Sequence, residues 1–159
     1  MGTNIKSRLA RARVITVVAA TLGLAGVGLA LGAPAQANTS NSCTVTPLKP
    51  VFTGRYDNGV KVLDYRIYAT CTANRYLYIQ QQRWEADPSP NPDDYLGSAG
   101  FGRLVYAGGS TVIHNYRTLV NGEKGAEEVY HKVRFQVSSG GAWSSFTGWQ
   151  NSSILSITN

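Results

Sequence analysis

Histidine and cysteine, the residues that most often carry catalysis or hold a metal ion, are scarce in this chain, which has two of each. Two cysteines cannot by themselves build a structural zinc site, and neither histidine stands at a ligand spacing from them. The H-E-x-x-H motif of zinc proteases and the nucleophile elbow of serine hydrolases are absent from the sequence. These absences indicate a protein that is not an enzyme and that uses no cofactor or metal ion.

Few of the remaining residues suggest catalysis. His131 falls on the apolar side of a predicted strand, where a histidine is more often buried and hydrogen-bonded than a base. Glu85 with Asp87 or Asp93 could form the carboxylate pair of a glycosidase, but that reaction requires a fixed carboxyl separation. A small secreted hydrolase or inhibitor is therefore kept only as the last functional alternative, after the two described at the end of this section.

Charge is also sparse, and its excess is concentrated at one end. The 15 basic and 9 acidic residues give a formal net charge of +6. Four of the basic residues, Lys6, Arg8, Arg11 and Arg13, precede position 14. Without the first 37 residues, which contain no acid, the balance is 11 basic minus 9 acidic residues, or +2. That charge is too small to indicate a nucleic-acid-binding domain.

The first 37 residues have the composition of a secretory signal peptide. An uncharged run from Val14 to Leu31 follows the basic start, and Ala35 and Ala37 form an A-x-A cleavage site. The run has 18 residues, just long enough to cross a bilayer, so a retained anchor is the alternative. We expect cleavage after Ala37 by the general (Sec-type) secretory route. Residues 38–159 would then form a single extracellular domain without stable membrane insertion.

An extracellular destination makes a disulfide between Cys43 and Cys71 the expected state of the two cysteines. The bond would close a loop of about 29 residues, which the chain-entropy model values at roughly 3–4 kcal/mol. Two free thiols are the alternative.

Alternation of apolar and polar residues runs through most of residues 38–159. Between Val129 and Val137, apolar side chains and His131 occupy every second position, with charged and polar residues between them. Such alternation is typical of half-buried antiparallel strands. Asn-Gly and Gly-Gly pairs separate the alternating segments and supply the positive φ angles of tight hairpins.

About eight strands are predicted, at 43–47, 51–56, 60–71, 75–85, 103–107, 111–120, 127–138 and 144–157. A long connection at 86–102, rich in Pro, Asp, Gly and Ser, joins the fourth strand to the fifth. No segment after residue 37 has helical spacing. We therefore predict an all-β, antiparallel β-sandwich, in preference to a small barrel.

The surroundings of the tryptophans resemble those of immunoglobulin-like domains. Trp84 follows Cys71 by thirteen residues, much as a core tryptophan follows the first disulfide cysteine in that superfold. Residues 133–137 followed by 143–149 are similar to the last hairpin of a fibronectin type III module, and the N-terminal segment is similar to actinobacterial signal peptides. The resemblance implies an immunoglobulin-like sandwich. The chain departs from that pattern in one respect, because Cys43 precedes Cys71 and lies in the first strand, so no bridge between the sheets is expected. The resemblance transfers no function.

The strand at 75–85 contains a candidate binding surface. If Leu77 and Ile79 face the core, the opposite side presents a row of aromatic rings and amides: Tyr76, Tyr78, Gln80, Gln82 and Trp84. Such a row suits stacking against sugar rings or contact with another protein. The alternative is that Trp84 turns inward, which would leave only two exposed tyrosines. Trp143 and Trp149 are predicted to lie in the core or in a stacked ladder.

The predicted loop after this strand is the second candidate, because long loops on rigid scaffolds often carry recognition residues. Its acidic end supplies Asp93 and Asp94, followed by Tyr95. Residues 87–95 could offer carboxylates to calcium, but they lack the alternate-position spacing of a calcium loop.

Two functional classes are preferred to the hydrolase or inhibitor. The first is a secreted, non-enzymatic binding module that recognises a cell-wall component, another glycan or an extracellular protein. The second is a structural adaptor in a secreted multi-protein, toxin-type assembly, joined to its partners through edge strands or through an extended arm at 38–42. Neither class involves nucleic acid, and the oligomeric state is left open.

Overall fold

The computed structural model describes residues 37–87, 90–119 and 125–158. The predicted signal peptide, except for Ala37, lies outside the described residues. Within those residues the chain contains strands and no helix, and therefore no helix that is long and apolar enough to cross a membrane.

Thirteen strands occupy the described residues, and every pairing between them is antiparallel. They are β1 (Asn38–Ser40), β2 (Cys43–Pro47), β3 (Val51–Asp57), β4 (Val60–Asp64), β5 (Ile67–Cys71), β6 (Arg75–Glu85), β7 (Asp94–Val105), β8 (Ser110–Ile113), β9 (Tyr116–Thr118), β10 (Ala126–Ser139), β11 (Ala142–Trp143), β12 (Gln150–Asn151) and β13 (Leu155–Thr158). The predicted all-β antiparallel sandwich is confirmed, whereas the predicted number of about eight strands is too low.

The strands form two layers. The back layer is a six-stranded sheet with the order β11-β10-β6-β7, in which β12 and β13 also pair with β10. The front layer consists of a four-stranded sheet, β1-β2-β5-β8, and a three-stranded sheet, β3-β4-β9. Three continuous segments of the chain pass through both of these sheets: β2 leads into β3, β4 into β5 and β8 into β9. We call these segments the front-layer runs.

All three front-layer runs are interrupted at the same level. Backbone hydrogen bonds join the interruptions, from Leu48 N to Arg66 O (2.9 Å) and from Tyr65 N to Asn115 O (3.1 Å). The predicted strands 60–71 and 111–120 are therefore each two strands. Alternation alone did not show the breaks.

Two apolar clusters fill the space between the layers, one on each side of this level. The larger joins front-layer residues such as Val45 and Ile67 to Ile79 and Phe135 of the back layer. The smaller is built from Leu63, Tyr65, Leu119 and Val129.

A buried polar group lies between the two clusters. His131, on β10, is fully buried; its Nε2 donates to Leu48 O (2.7 Å), and its Nδ1 accepts from Gln81 Nε2 (2.6 Å). Gln81 Nε2 also donates to Tyr65 O (3.0 Å), and Gln81 Oε1 accepts from Asn115 Nδ2 (2.6 Å). These bonds satisfy backbone groups that the interrupted strands leave without sheet partners. The prediction of a buried, hydrogen-bonded His131 is confirmed.

The disulfide between Cys43 and Cys71 is present. The two residues are directly opposed in the pairing of β2 with β5, so the bond lies within the front layer. It closes the chain around the first front-layer hairpin and does not connect the two layers, in agreement with the expected departure from the immunoglobulin pattern.

The predicted loop 86–102 is wrong for most of its length, because β7 begins at Asp94 and pairs with β6 along its whole course. Its Gly and Ser residues are typical of turns, but here they serve close packing across a sheet. The predicted final strand 144–157 is also wrong in extent, since only β12 and β13 are regular strands within it.

Candidate binding face on the back layer

The side of the back layer that points away from the core is the candidate site, here called the outer face. Strand alternation defines it, because Leu77, Ile79 and Gln81 of β6 are fully buried. The intervening residues of β6, from Tyr76 to Trp84, therefore point outward, and they are exposed or half-buried. This is the row that the sequence predicted.

Register aligns residues of neighbouring strands into rows across the outer face. Tyr76 stands opposite Leu104 of β7 and Ser138 of β10, and Ser138 in turn stands opposite Trp143. Tyr76, Leu104 and Trp143 are each about half exposed, and the rings of Tyr76 and Trp143 meet edge to face at 5.8 Å. One end of the outer face is thus apolar.

Two glycines of β7 let the tyrosine rings of β6 lie across the sheet. A Cβ atom added at Gly100 would fall 2.8 Å from Tyr78 Oη, and one added at Gly102 would fall 2.3 Å from Tyr76 Oη. Aromatic rings that cover strand glycines in this way replace the packing that the glycines lack. The glycines thus fix where the two rings lie.

Arg134 of β10 occupies the centre of the outer face. The Cζ atom of its guanidinium lies 4.6 Å from the ring centroid of Phe146 and 4.7 Å from that of Trp149. Its Nε donates to Gln80 Oε1 at 2.8 Å. Such contacts hold a long side chain in one orientation. The predicted stacked-ladder alternative thus describes Trp149, and Phe146 also contacts the ring of Tyr78 at 6.2 Å.

The opposite end of the outer face is formed by Trp84. Its ring contacts that of Tyr95 at 5.2 Å and lies under Lys132 Nζ at 4.3 Å. The structure therefore places Trp84 on the outer face, half-buried, and not in the core as the immunoglobulin comparison suggested.

The acidic candidates lie beside this end. Asp93 Oδ2 accepts a hydrogen bond from Tyr130 Oη, and Asp94 begins β7 opposite Glu85. Burial, reinforced by this bond, raises the pKa of the Tyr130 phenol above its usual value. Trp84, Asp93 and Tyr95 are thus brought together, whereas Tyr76 and Tyr78 belong to the other half of the outer face.

An open depression of about 370 Å³ lies in the middle of the outer face. Its lining consists of one cation, two rings, small residues and three glutamines: Tyr78, Gln80, Gln81, Gln82, Ser98, Ala99, Gly100, Arg134 and Trp149. The amide groups of Gln80 and Gln82 belong to the outer face, whereas the amide of Gln81 is buried on the core side. Sequence reasoning missed Arg134, Lys132 and the glycines as site residues. The signal for the cations was the polar side of the strand at 127–138, where Lys132 and Arg134 alternate with apolar residues.

A second depression of about 450 Å³ contains Asp87, Asp93 and Glu128. Asp93 is already engaged by Tyr130 and, through Oδ1, by Asp87 N at 3.4 Å. Within the described residues, no group of three or more acidic, histidine or cysteine side chains is arranged to hold a metal ion.

His114, the exposed histidine, lies on the front layer. Its Nδ1 is 2.6 Å from Asp64 Oδ2, and its ring stacks on that of Tyr116. A carboxylate that orients an imidazole occurs in hydrolases, but catalysis also requires a nucleophile beside the second ring nitrogen. The described contacts of His114 supply none.

No protein-family model, curated protein or solved structure matches this chain.

Proposed function

We propose that this protein is a secreted, non-enzymatic binding module whose ligand, a cell-wall or other extracellular glycan, sits on the outer face of the back layer. The observation that carries the proposal is the central depression, where a fixed guanidinium and two aromatic rings surround a floor of glutamine amides and small residues. Rings provide flat apolar surfaces, and amides provide both donors and acceptors for hydroxyl groups. Its volume is within the range of small-molecule sites.

Secretion is part of the proposal and has two supports. The disulfide is a bond that persists mainly in oxidising compartments. β1 begins at Asn38, the first residue after the predicted cleavage position, and Asn38 Nδ2 donates to Gly148 O at 2.6 Å.

The test is binding of the protein, purified from culture medium, to isolated cell walls and to a panel of insoluble polysaccharides. Trp149→Ala and Tyr78→Ala should each weaken binding about tenfold or more, as expected for aromatic residues at the centre of a binding surface. Tyr68→Ala is the matched control, since Tyr68 is an exposed strand tyrosine of the front layer.

Two results would contradict the proposal. One is the absence of binding to every wall and polysaccharide tested. The other is an equal loss of binding in the Tyr68 variant, which would place the ligand elsewhere. Thermal unfolding of each variant shows whether a loss of binding reflects a loss of folding.

A second candidate function, an adaptor in a secreted assembly, is favoured by the position of β7 at the edge of the back sheet, as far as the described residues show. This strand ends the back sheet and has 12 residues, among which Asp94 and Arg103 are the only charged ones. Long edge strands with few charges are suited to pairing with a strand from another chain. The extended arm at 38–42 is less suited, because Asn38–Ser40 already pairs with β2. The native mass of the protein in its own culture medium separates the two functions, since an adaptor would be recovered in a larger particle.

A further inference from the structure

We propose that the central depression recognises sugars that carry a carboxylate, and that Arg134 binds this carboxylate through its two Nη atoms. The inference rests on the proposed glycan-binding function and names its ligand class. It follows from the directions in which the guanidinium is already occupied and from the charge around it.

The guanidinium of Arg134 has one recognition edge left. The rings of Phe146 and Trp149 pack against it at 4.6 and 4.7 Å from Cζ, and Gln80 Oε1 accepts the proton of Nε. Within the described part of the chain, the hydrogen bond of the Arg134 side chain is the one from Nε, and Nη1 and Nη2 form none. Two parallel N–H groups in a fixed plane match the two oxygens of a carboxylate. Because the stacking rings and Gln80 hold that plane, little side-chain entropy remains to be lost on binding.

The surrounding charge favours an anion. Lys132 is on the same face, two residues from Arg134, and its Nζ is held over the rings of Trp84 and Tyr130. No carboxylate is among the described residues that line the depression. A negative group placed at the Nη edge would therefore meet the guanidinium and no carboxylate from the lining of the depression, with Lys132 further along the same face.

The rest of the depression favours a sugar ring over an acidic peptide. Gln80 uses its oxygen on Arg134 and keeps its amide protons, and Gln82 is beside it on the same strand face. Ser98 and Gly100 form a low floor opposite these amides, with the rings of Tyr78 and Trp149 at the margin. This arrangement offers several hydroxyl-binding groups around a flat space and no deep pocket for a side chain.

The inference is tested by calorimetry with the secreted protein and three kinds of probe. The first is a set of carboxylated polysaccharides (polygalacturonate, alginate and hyaluronate), the second is methyl-esterified polygalacturonate, and the third is poly-L-glutamate. We expect binding to at least one carboxylated polysaccharide. For polygalacturonate, if it is the one bound, the ester should bind about tenfold more weakly or worse, because a charge-assisted pair is lost. Poly-L-glutamate should bind at least as weakly as the ester.

Variants connect the preference to Arg134. Arg134→Gln should remove the preference for the carboxylated polysaccharide, and Arg134→Lys should restore only part of it, because an ammonium cannot form the paired contact. Arg117→Gln, at an exposed position on β9 of the front layer, should leave it unchanged. Because removal of Arg134 also removes its stacking contacts, Gln82→Ala is the second variant. It should weaken binding of the ester and of the free acid alike.

Four results would overturn the inference. They are the absence of binding to all three carboxylated polysaccharides, equal binding of acid and ester, poly-L-glutamate binding as tight as that of the polysaccharides, and an unchanged preference in both Arg134 variants. The proposed function is judged separately. If Trp149→Ala still abolishes binding to cell walls or neutral polysaccharides, the glycan module stands without its preference for acids.

Discussion

His131 shows at the residue scale how the two layers depend on one proton. Its Nε2 donates to a front-layer carbonyl, so the Nδ1 atom must accept from Gln81, and the ring is held neutral. Burial lowers the pKa of His131 to about 4, although the Leu48 carbonyl and the charge of Asp64 both oppose the change. A protonated ring would direct a second donor at the Gln81 amide.

The expected consequence is a loss of stability in mild acid. The pKa in the folded state, about 4, is lower than the ordinary value of 6.5, so the unfolded chain takes up the proton first. The part of the free energy of unfolding that depends on a neutral His131 is fully present above pH 6.5. It is lost as the pH falls from 6.5 to about 4. The loss is on the order of 3 kcal/mol, measured as the free energy of unfolding in urea at several pH values.

Replacement of His114 tests whether this pH dependence of stability arises from His131. His114→Gln should retain the acid-dependent loss, because that side chain is exposed on the front layer. An NMR titration of the wild-type imidazoles provides a check that needs no variant. A His131 ring that titrates near 6.5 in the folded protein would contradict the expectation.

Sequence alternation was sufficient to predict that His131 is buried, since it shares a strand face with Val129 and Val133. Its partners were not predictable in the same way. Leu48 and Gln81 are 83 and 50 residues away in sequence, and they meet His131 only because two layers pack against each other. For the same reason the packing of Arg134 against the rings of Phe146 and Trp149 could not be predicted from its place on the polar side of the strand.

At the scale of the element, β7 is the strand whose amino-acid composition is least typical of a β-strand. Its pairing with β6 shifts register between Arg83 and Trp84, which leaves Leu96 as an extra residue, a β-bulge. Gly97 follows the bulge with a φ of +118°. Arg83 Nη2 donates to Leu96 O at 2.9 Å and secures the bulge from the neighbouring strand.

Gly97→Ala should therefore destabilise the protein by about 1–3 kcal/mol, because a side chain is strained at this φ. The new Cβ would also lie 2.7 Å from Arg83 Nη2 and displace it. Thermal or urea unfolding measures the effect. Gly148→Ala is the matched control, since a Cβ there meets no atom within 4 Å, and it should be nearly neutral. Equal stability of the two variants would show that the bulge is not strained by a side chain.

The prediction of a loop at 86–102 failed for a physical reason that lies in this strand. Gly, Ser and Ala are depleted in isolated strands because they offer little to pack, and turn residues are the usual interpretation of such a segment. In the folded chain the missing packing is supplied by Tyr76 and Tyr78 from β6. The signal was present in the tyrosines of one strand and the glycines of another, and pattern reasoning considered each strand by itself.

At the scale of the whole molecule, the disulfide is the covalent element that the sequence predicted correctly. Cys43 and Cys71 are both buried in the larger apolar cluster and close the chain over a separation of 28 residues. The disulfide raises the free energy of unfolding mainly because it restricts the unfolded chain. The chain-entropy model gives roughly 3–4 kcal/mol for this effect.

Reduction should lower the free energy of unfolding by that amount, and the double variant Cys43→Ser, Cys71→Ser should lose a similar or larger amount. Urea unfolding with and without dithiothreitol measures the first effect. The double variant is the control, because its midpoint should not respond to the reductant. A wild-type midpoint that is equally insensitive, with reduction verified by thiol titration, would contradict the expected contribution.

The strands β6 and β10 pair without interruption over ten consecutive positions, from Tyr76 with Ser138 to Glu85 with Val129. They extend past both apolar clusters and past the buried polar group around His131 that lies between the clusters. Each of the three front-layer runs is interrupted at the level of that polar group. A bending motion of the sandwich would thus be accommodated in the front layer. The outer face is built on the two continuous strands and would keep the spacing of its rows. A long, stiff polysaccharide of the proposed class could therefore lie along it without a change in the conformation of the protein.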